Sequence, residues 1–124
     1  MSASRAWLAC LAMVTLSCTS YRPLTPAPPG RTATLDGSGS QLRLSRGVAL
    51  AFECVTGGGN PCGPGQPEVD DSRIARVFPM HANRPGGYAT GSSAPQRHVV
   101  LGMSPGETWL RIPGESPVRV VVVP

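Results

Sequence analysis

The feature that most constrains the fold is the spacing of apolar residues, which recurs at every second position. Within residues 48–54, the side chains of Val48, Leu50, Phe52 and Cys54 fall on one face of an extended chain. A period of two with β-branched and aromatic residues is typical of strands, and outside the N-terminal region no segment shows a helical period. The sequence therefore predicts an all-β protein.

Further segments share this pattern and are separated by clusters of Gly, Pro, Ser and Asn. Short strands with turn residues between them are typical of a β-sandwich. The 85 residues from position 40 to the end are enough for one modest core and too few for two domains. The predicted strands are residues 41–45, 48–54, 74–78, 98–101, 108–112 and 118–123.

The segment before these strands has a different composition. Residues 18–39 are rich in Pro, Ser and Thr and hold few large apolar side chains. Such a composition buries little apolar surface, and its prolines favour an extended polyproline II conformation. We therefore expect a disordered tether over residues 18–39, followed by the sandwich over residues 40–124.

The N-terminal residues 1–17 have the pattern of an export signal. Arg5 precedes an apolar run over residues 6–16, and a small residue follows. The run has eleven residues, whereas a helix that spans a membrane needs about 20. We expect a cleaved signal peptide and no transmembrane anchor in this run.

The end of this segment, Val14-Thr15-Leu16-Ser17-Cys18, resembles the lipobox of bacterial lipoproteins. The resemblance implies a lipoprotein signal peptide over residues 1–17 and acylation of Cys18, with palmitate among the chains. It places the protein on the bacterial envelope, at the outer membrane, facing the periplasm or the cell surface. The alternative is an ordinary secretory signal cleaved near Ser20, which also gives an exported protein.

Three later stretches, residues 70–77, 98–112 and 118–123, resemble the bacterial immunoglobulin-like domain family, group 2. That family shows a Val-Ala-x-Val strand, a Val-x-Gly-x-x-x-Gly-x-x-x-Ile hairpin and a valine-rich last strand. Gly102 and Gly106 stand at the glycine positions of the hairpin. The resemblance implies an immunoglobulin-like β-sandwich that serves as a binding or spacer module.

Two cysteines, Cys54 and Cys62, follow the signal segment, with seven residues between them. An even pair in an exported chain predicts a disulfide, which would stabilise the domain by about 2.5 kcal/mol in the chain-entropy treatment. A zinc site that also uses His81 and His98 is the alternative, although the spacing matches no zinc pattern.

Several enzyme classes are excluded by residue types. All eleven basic residues are arginine, so the chain has no P-loop lysine, no Schiff-base lysine and no lysine general base. We therefore expect no catalytic residue, no cofactor and no enzymatic activity.

Other ligands find little support in the sequence. The arginines are scattered singly, so nucleic-acid binding is not expected. Glu68, Asp70 and Asp71 are the residues that could seat calcium, but six or more oxygen ligands are not evident. We therefore expect no metal site.

Two long glycine- and proline-rich loops, residues 57–67 and 83–95, are the expected binding surfaces. The expected function is a lipid-anchored, non-enzymatic envelope protein that contacts or spaces an unknown envelope protein or glycan, with the membrane as a further partner through the anchor. The candidate loop residues are Asn60, Pro61, Gly63, Arg84, Gly86, Gly87 and Tyr88.

The two loops also allow an alternative function. Asn60-Pro61-Cys62-Gly63-Pro64-Gly65 and Arg84-Pro85-Gly86-Gly87-Tyr88 resemble the loops of chagasin-type cysteine-protease inhibitors. This resemblance implies a secreted inhibitor on a similar sandwich. A small accessory domain of a pilus or secretin assembly is a third possibility, since such domains share the valine–glycine hairpin pattern.

Overall fold

The structure, a computed structural model, describes residues 19–36, 39–56, 62, 65–79 and 96–124. These residues form nine strands and no helix, which confirms the predicted all-β class. The strands are β1 (Ser20–Pro23), β2 (Ala33–Leu35), β3 (Gln41–Ser45), β4 (Ala49–Val55), β5 (Glu68–Val69), β6 (Ala75–Pro79), β7 (Gln96–Gly102), β8 (Gly106–Arg111) and β9 (Val118–Val123).

The nine strands form two sheets packed face to face, so the predicted β-sandwich is confirmed. The first sheet has four strands in the order β1-β4-β7-β6, and every neighbouring pair is antiparallel. The second has five strands in the order β2-β3-β9-β8-β5. Its pairs are antiparallel except β3 and β9, which run parallel.

The core lies between the sheets and is built by the predicted alternation. The four side chains of this alternation are all buried on the inner face of the four-stranded sheet: Val48, which directly precedes β4, and Leu50, Phe52 and Cys54 within it. Each fully buried large apolar side chain stabilises the fold by about 1.5–3 kcal/mol. The five-stranded sheet contributes Leu42, Leu44, Leu110, Val118, Val120 and Val122 to the same cluster.

All six predicted strands are present, and their bounds differ from the prediction by at most two residues. The three strands that were not predicted are β1, β2 and β5, which have two to four residues each. These strands are too short to show a period of two, so the alternation cannot identify them.

The prediction of a disordered tether is wrong for β1 and β2. Strand β1 pairs with β4, and β2 pairs with β3, so each extends one sheet at its edge. Tyr21 is the physical reason for β1, because its buried ring packs 6.2 Å from the ring of Phe52, centroid to centroid. Pro23 is tolerated there because an edge strand has backbone N–H groups that need no partner strand.

The predicted hairpin over residues 98–112 is also wrong in its pairing. Strands β7 and β8 lie in different sheets, so the turn between them carries the chain across the sandwich. The glycines are needed for another reason than a tight hairpin. A Cβ atom on Gly102 would lie 2.9 Å from the carbonyl oxygen of Ser45, and Gly106 has a φ of +152°.

Candidate functional site

The residues predicted for function are divided between the described and the remaining parts of the chain. Cys54 and Cys62 are described. The predicted lipidation site and all predicted binding residues lie outside the described residues, namely Cys18, Asn60, Pro61, Gly63, Arg84, Gly86, Gly87 and Tyr88.

The predicted disulfide between Cys54 and Cys62 is confirmed. Its Cα atoms are 5.6 Å apart, and both residues are buried in the core. The backbone N–H of Cys62 also donates to the carbonyl oxygen of Cys54 at 3.3 Å. Because both sulfurs are in the bridge, neither is a thiolate that could bind zinc together with His98.

The disulfide lies at the end of the sandwich where β1 begins, because Tyr21 pairs with Cys54. The hydroxyl of Thr19 donates to the carboxylate of Glu115, in the connection between β8 and β9. Gly65, which follows the disulfide, lies against Pro113 in that same connection, and a Cβ on Gly65 would be 2.7 Å from its Cγ. Three separate parts of the chain therefore meet at this end.

His98 is a buried residue of the core. It is only 5% exposed, and neither ring nitrogen has a hydrogen-bond partner. Its ring packs against that of Phe52, with centroids 5.8 Å apart. Burial lowers the pKa of His98, because a charged imidazolium there would lose its hydration without gaining a partner.

The outer face of the five-stranded sheet presents Trp109, whose side chain is 44% exposed. Arg119 is its register partner on β9, while Glu107 and Arg111 are its neighbours on the same face of β8. Asp70 joins them at the edge of the sheet, where its N–H donates to the carbonyl oxygen of Trp109 at 3.0 Å. We refer to these five residues as the Trp109 face.

Two ion pairs order the side chains beside Trp109. Arg111 binds Asp70 through two parallel hydrogen bonds of 2.7 and 2.9 Å, and Arg119 binds Glu107 at 2.6 Å. The hydrogen bonds from Arg111 hold the pKa of Asp70 below its usual value. Exposed pairs of this kind add little to stability, so their main effect is to orient the guanidinium groups.

The outer face of the four-stranded sheet has a different chemistry. Leu24 and Phe78, which are 37% and 45% exposed, lie at its two edges. Three arginines stand on this face against one glutamate, a formal charge of 3 − 1 = +2. We refer to it as the arginine–apolar face, and its register rows are Arg22–Glu53–Arg97, Leu24–Ala51–Val99–Phe78 and Ala49–Leu101–Arg76.

Two of the three acidic residues considered for calcium, Asp70 and Asp71, bind arginine side chains. Asp70 is bound by Arg111, and both carboxylate oxygens of Asp71 accept hydrogen bonds from Arg73 at 3.0 Å. Within the described residues there is no group of three or more His, Cys, Asp or Glu side chains that could hold a metal ion.

Comparisons of this chain with protein families, curated proteins and solved structures gave no match. The part of the chain that the structure describes contains no helix of the length and apolarity that crossing a membrane requires.

The Trp109 face was missed by the sequence prediction, although a signal for it exists. Residues 108–112 were predicted as a strand, and alternation along that strand separates Leu110 and Ile112 from Trp109 and Arg111. An exposed tryptophan in the middle of a sheet is uncommon for a surface without a partner. The alternation would therefore have been enough to nominate Trp109.

Proposed function

We propose that this chain is an exported, lipid-anchored envelope protein whose immunoglobulin-like sandwich contacts a protein or a glycan and carries out no chemistry itself. The observation that carries the contact function is the exposed Trp109 between two ordered ion pairs. Export, the domain class and the anchor each have separate support.

The order of the strands supports the immunoglobulin-like class. In that fold, strands A, B, E and D form one sheet and strands C, F and G the other. The order β1-β4-β7-β6 corresponds to the first sheet, and β5-β8-β9 corresponds to the second. Strands β2 and β3 extend the second sheet beyond β9, through the parallel pair of β3 and β9.

The disulfide supports export. Disulfides persist in oxidising compartments and are rare in the cytosol. A buried bridge between Cys54 and Cys62 therefore agrees with the export signal over residues 1–17 and with the lipobox that ends at Cys18.

The side chains of the Trp109 face are suited to bind a polar partner, either the sugar rings of a glycan or an extended stretch of protein. The indole offers a flat apolar surface on which a sugar ring or an aromatic side chain can pack. Arg111 and Arg119 offer N–H donors beside it, while Asp70 and Glu107 offer acceptors. Tryptophan and arginine are the residues that most often dominate binding energy at interfaces.

A matched pair of variants tests the contact function. Trp109→Ala removes the ring from the Trp109 face, and Phe78→Ala removes an aromatic ring of similar exposure from the opposite face. Binding of the lipidated protein to isolated cell-wall glycan and to envelope proteins is measured by co-sedimentation and crosslinking. We expect Trp109→Ala to weaken binding about 30-fold or more, since loss of such a residue costs about 2 kcal/mol or more. Equal losses in both variants, or no loss in Trp109→Ala, would contradict this function.

The anchor is tested separately. Cells that express the chain are grown with labelled palmitate, and Cys18→Ser serves as the control. We expect label on the wild-type protein and none on the variant. An unlabelled wild-type protein would exclude the lipid anchor.

A second candidate function, a chagasin-like cysteine-protease inhibitor, is favoured by one observation. The strand ends that border the connections β4–β5, β6–β7 and β8–β9 lie at the same end of the sandwich. Cys54 pairs with Gln96 in one sheet, Glu68 pairs with Arg111 in the other, and the Cys54–Cys62 bridge and the approach of Gly65 to Pro113 join these ends. Loops that share one end can enter one cleft together, as a blocking inhibitor requires. The two predicted inhibitor motifs fall in the first two of these connections.

Inhibition of papain by the purified protein tests this second function. We expect tight inhibition that is weakened by Asn60→Ala and unaffected by Trp109→Ala, since Trp109 lies within β8 and not in a predicted inhibitor loop. A wild-type protein without effect on papain would exclude it.

A further inference from the structure

The arginine–apolar face carries one uninterrupted apolar row. Phe78 pairs with Val99, Val99 pairs with Ala51, and the N–H of Leu24 donates to the carbonyl oxygen of Ala51 at 2.8 Å. Side chains paired in register lie on the same side of a sheet, so the row runs from Leu24, which directly follows β1, across β4 and β7 to β6. Ala51 in its middle is only 5% exposed, so the contact surface of the row is formed by the larger side chains around it. It begins and ends with the two most exposed apolar residues of this face, Leu24 and Phe78.

Arginines border this row on both sides. Arg22 and Arg97 lie in the neighbouring row, one on each side of Glu53. Arg76 lies in the row on the other side, where it pairs with Leu101. An apolar strip between cations is the chemistry of a surface that lies at a lipid interface, where arginine stems contact apolar groups and the guanidiniums reach phosphate.

The two outer faces differ in charge balance. The arginine–apolar face has a surplus of two positive charges, whereas the other face has equal numbers of both signs. Only the first face is therefore drawn electrostatically to an anionic surface. The charged residues of the five-stranded sheet and its edge are Arg43, Arg111 and Arg119 against Glu68, Asp70 and Glu107.

The chain provides almost no spacer between the predicted lipid and this face. Ser20 pairs with Val55 in β1, which is an edge strand of the four-stranded sheet. Cys18 is only two residues before Ser20, a reach of at most about 7 Å. Acyl chains on Cys18 would therefore hold at the bilayer the corner of the sandwich where β1 and the arginine–apolar face begin.

We propose that the arginine–apolar face rests on the anionic lipid surface in which Cys18 is anchored, so that the Trp109 face is directed away from the membrane. The proposal rests on the lipid anchor of the proposed function. Because the anchor keeps the face at a high local concentration beside the lipid, a weak contact is enough to orient the domain. The sandwich then lies on the bilayer, without a spacer to lift it.

Tryptophan fluorescence can report this orientation directly. Trp7 lies in the predicted signal peptide, so Trp109 is the single tryptophan of the mature chain. The lipidated protein is reconstituted in vesicles of phosphatidylcholine and phosphatidylglycerol whose acyl chains carry bromine, a short-range quencher. We expect Trp109 to keep its emission on these vesicles and to be quenched by acrylamide from the water.

Reporters on the other face should behave in the opposite way. In a Trp109→Phe background, Phe78→Trp and Leu24→Trp each place a tryptophan at one edge of the apolar row, and we expect both to lose emission on brominated vesicles. Two positions are used so that a folding defect in one leaves the other informative. Thr34→Trp in the same background is the control, since Thr34 is exposed on the outer face of the five-stranded sheet and should not be quenched.

The charge requirement is tested with a second pair of variants. Arg22→Glu combined with Arg76→Glu should relieve the quenching of Phe78→Trp, and so should vesicles of phosphatidylcholine alone. Arg43→Glu, on the opposite face, should leave the quenching unchanged.

The outcomes separate the orientation from the anchor. A mature protein whose mass lacks acyl chains on Cys18 contradicts the anchor itself. A correctly acylated protein in which Thr34→Trp is quenched as strongly as Phe78→Trp, or in which no reporter is quenched, contradicts the orientation alone.

Discussion

His98 on β7 packs against Phe52 on β4 with ring centroids 5.8 Å apart and ring planes tilted by 50°, and neither imidazole nitrogen is hydrogen-bonded. The two residues are register partners on the inner face of the four-stranded sheet. A neutral imidazole can occupy this position as an aromatic ring. A protonated one would be a buried cation without a partner, which is strongly unfavourable.

The first prediction is that stability falls as the pH falls below neutrality. The pKa of His98 is lowered by burial, whereas in the unfolded chain it is about 6.5. Between these two values the unfolded state binds more protons, so the free energy of unfolding decreases by up to about 1.4 kcal/mol per pH unit as the pH falls. Urea unfolding between pH 7 and pH 5 measures this slope.

His98→Leu is the control for this slope. It keeps an apolar side chain in the core and removes the titrating group, so the curve between pH 7 and pH 5 should become flatter. A variant as acid-sensitive as the wild type would show that His98 is not the cause.

The second prediction concerns Tyr21 at high pH. Burial, followed by the charge of Glu115, raises the pKa of Tyr21 from 10.0 to about 12. The folded state then holds its proton longer than the unfolded state, so stability decreases between pH 10 and pH 12, by up to about 1.4 kcal/mol per unit. In Tyr88→Phe, Tyr21 is the single tyrosine, and phenolate absorbance should show a midpoint near 12 that returns to about 10 in urea. A midpoint near 10 in the folded protein would contradict the burial of Tyr21.

Tyr21 also shows why part of the fold could not be predicted from the sequence. The alternation at Leu50, Phe52 and Cys54 determined β4, since every second side chain is buried. The Pro-rich segment around Tyr21 has no such alternation, and its pairing depends on one ring that finds Phe52 across the core. Because composition is an average over a segment, it cannot reveal a contact that a single aromatic ring makes.

The candidate site was even less predictable than the fold. The pairing of Cys54 and Cys62 followed from their number and from the predicted export signal, because few alternatives exist for two cysteines. The Trp109 face combines β8, β9 and residues beside β5, which only the strand order brings together. The arginine–apolar face likewise depends on the register of the strands in its sheet, which the hydrophobic pattern alone does not provide.

The third prediction is that the disulfide stabilises the folded protein mainly by restricting the conformations of the unfolded chain. Replacing Cys54 and Cys62 together by alanine should lower the free energy of unfolding by about 2.5 kcal/mol, because the unfolded chain gains loop entropy. Urea unfolding of both proteins measures the difference, and a mass gain of two hydrogens on reduction verifies the bridge. Wild-type protein with two free thiols would refute it.

The fourth prediction distinguishes two reasons why a position requires glycine, namely a lack of space for a side chain and a positive φ. Gly102 has no room, because a Cβ would lie 2.9 Å from the Ser45 carbonyl oxygen and 3.2 Å from a Val122 methyl group. Gly114 has open space, but its φ is +81°, a conformation that most residues avoid. Gly102→Ala should cost about 1–3 kcal/mol through overpacking, and Gly114→Ala about 1–2 kcal/mol through its backbone.

Asparagine distinguishes the two cases, since it tolerates positive φ better than alanine but is larger. Gly114→Asn should therefore recover most of the stability lost in Gly114→Ala, whereas Gly102→Asn should be less stable than Gly102→Ala. Urea unfolding of the four variants measures the differences. If Gly102→Asn were more stable than Gly102→Ala, the backbone conformation at position 102 and not its closeness to β3 would be the reason that glycine is required there. The crossing between the two sheets would then not require the tight approach of Gly102 to Ser45.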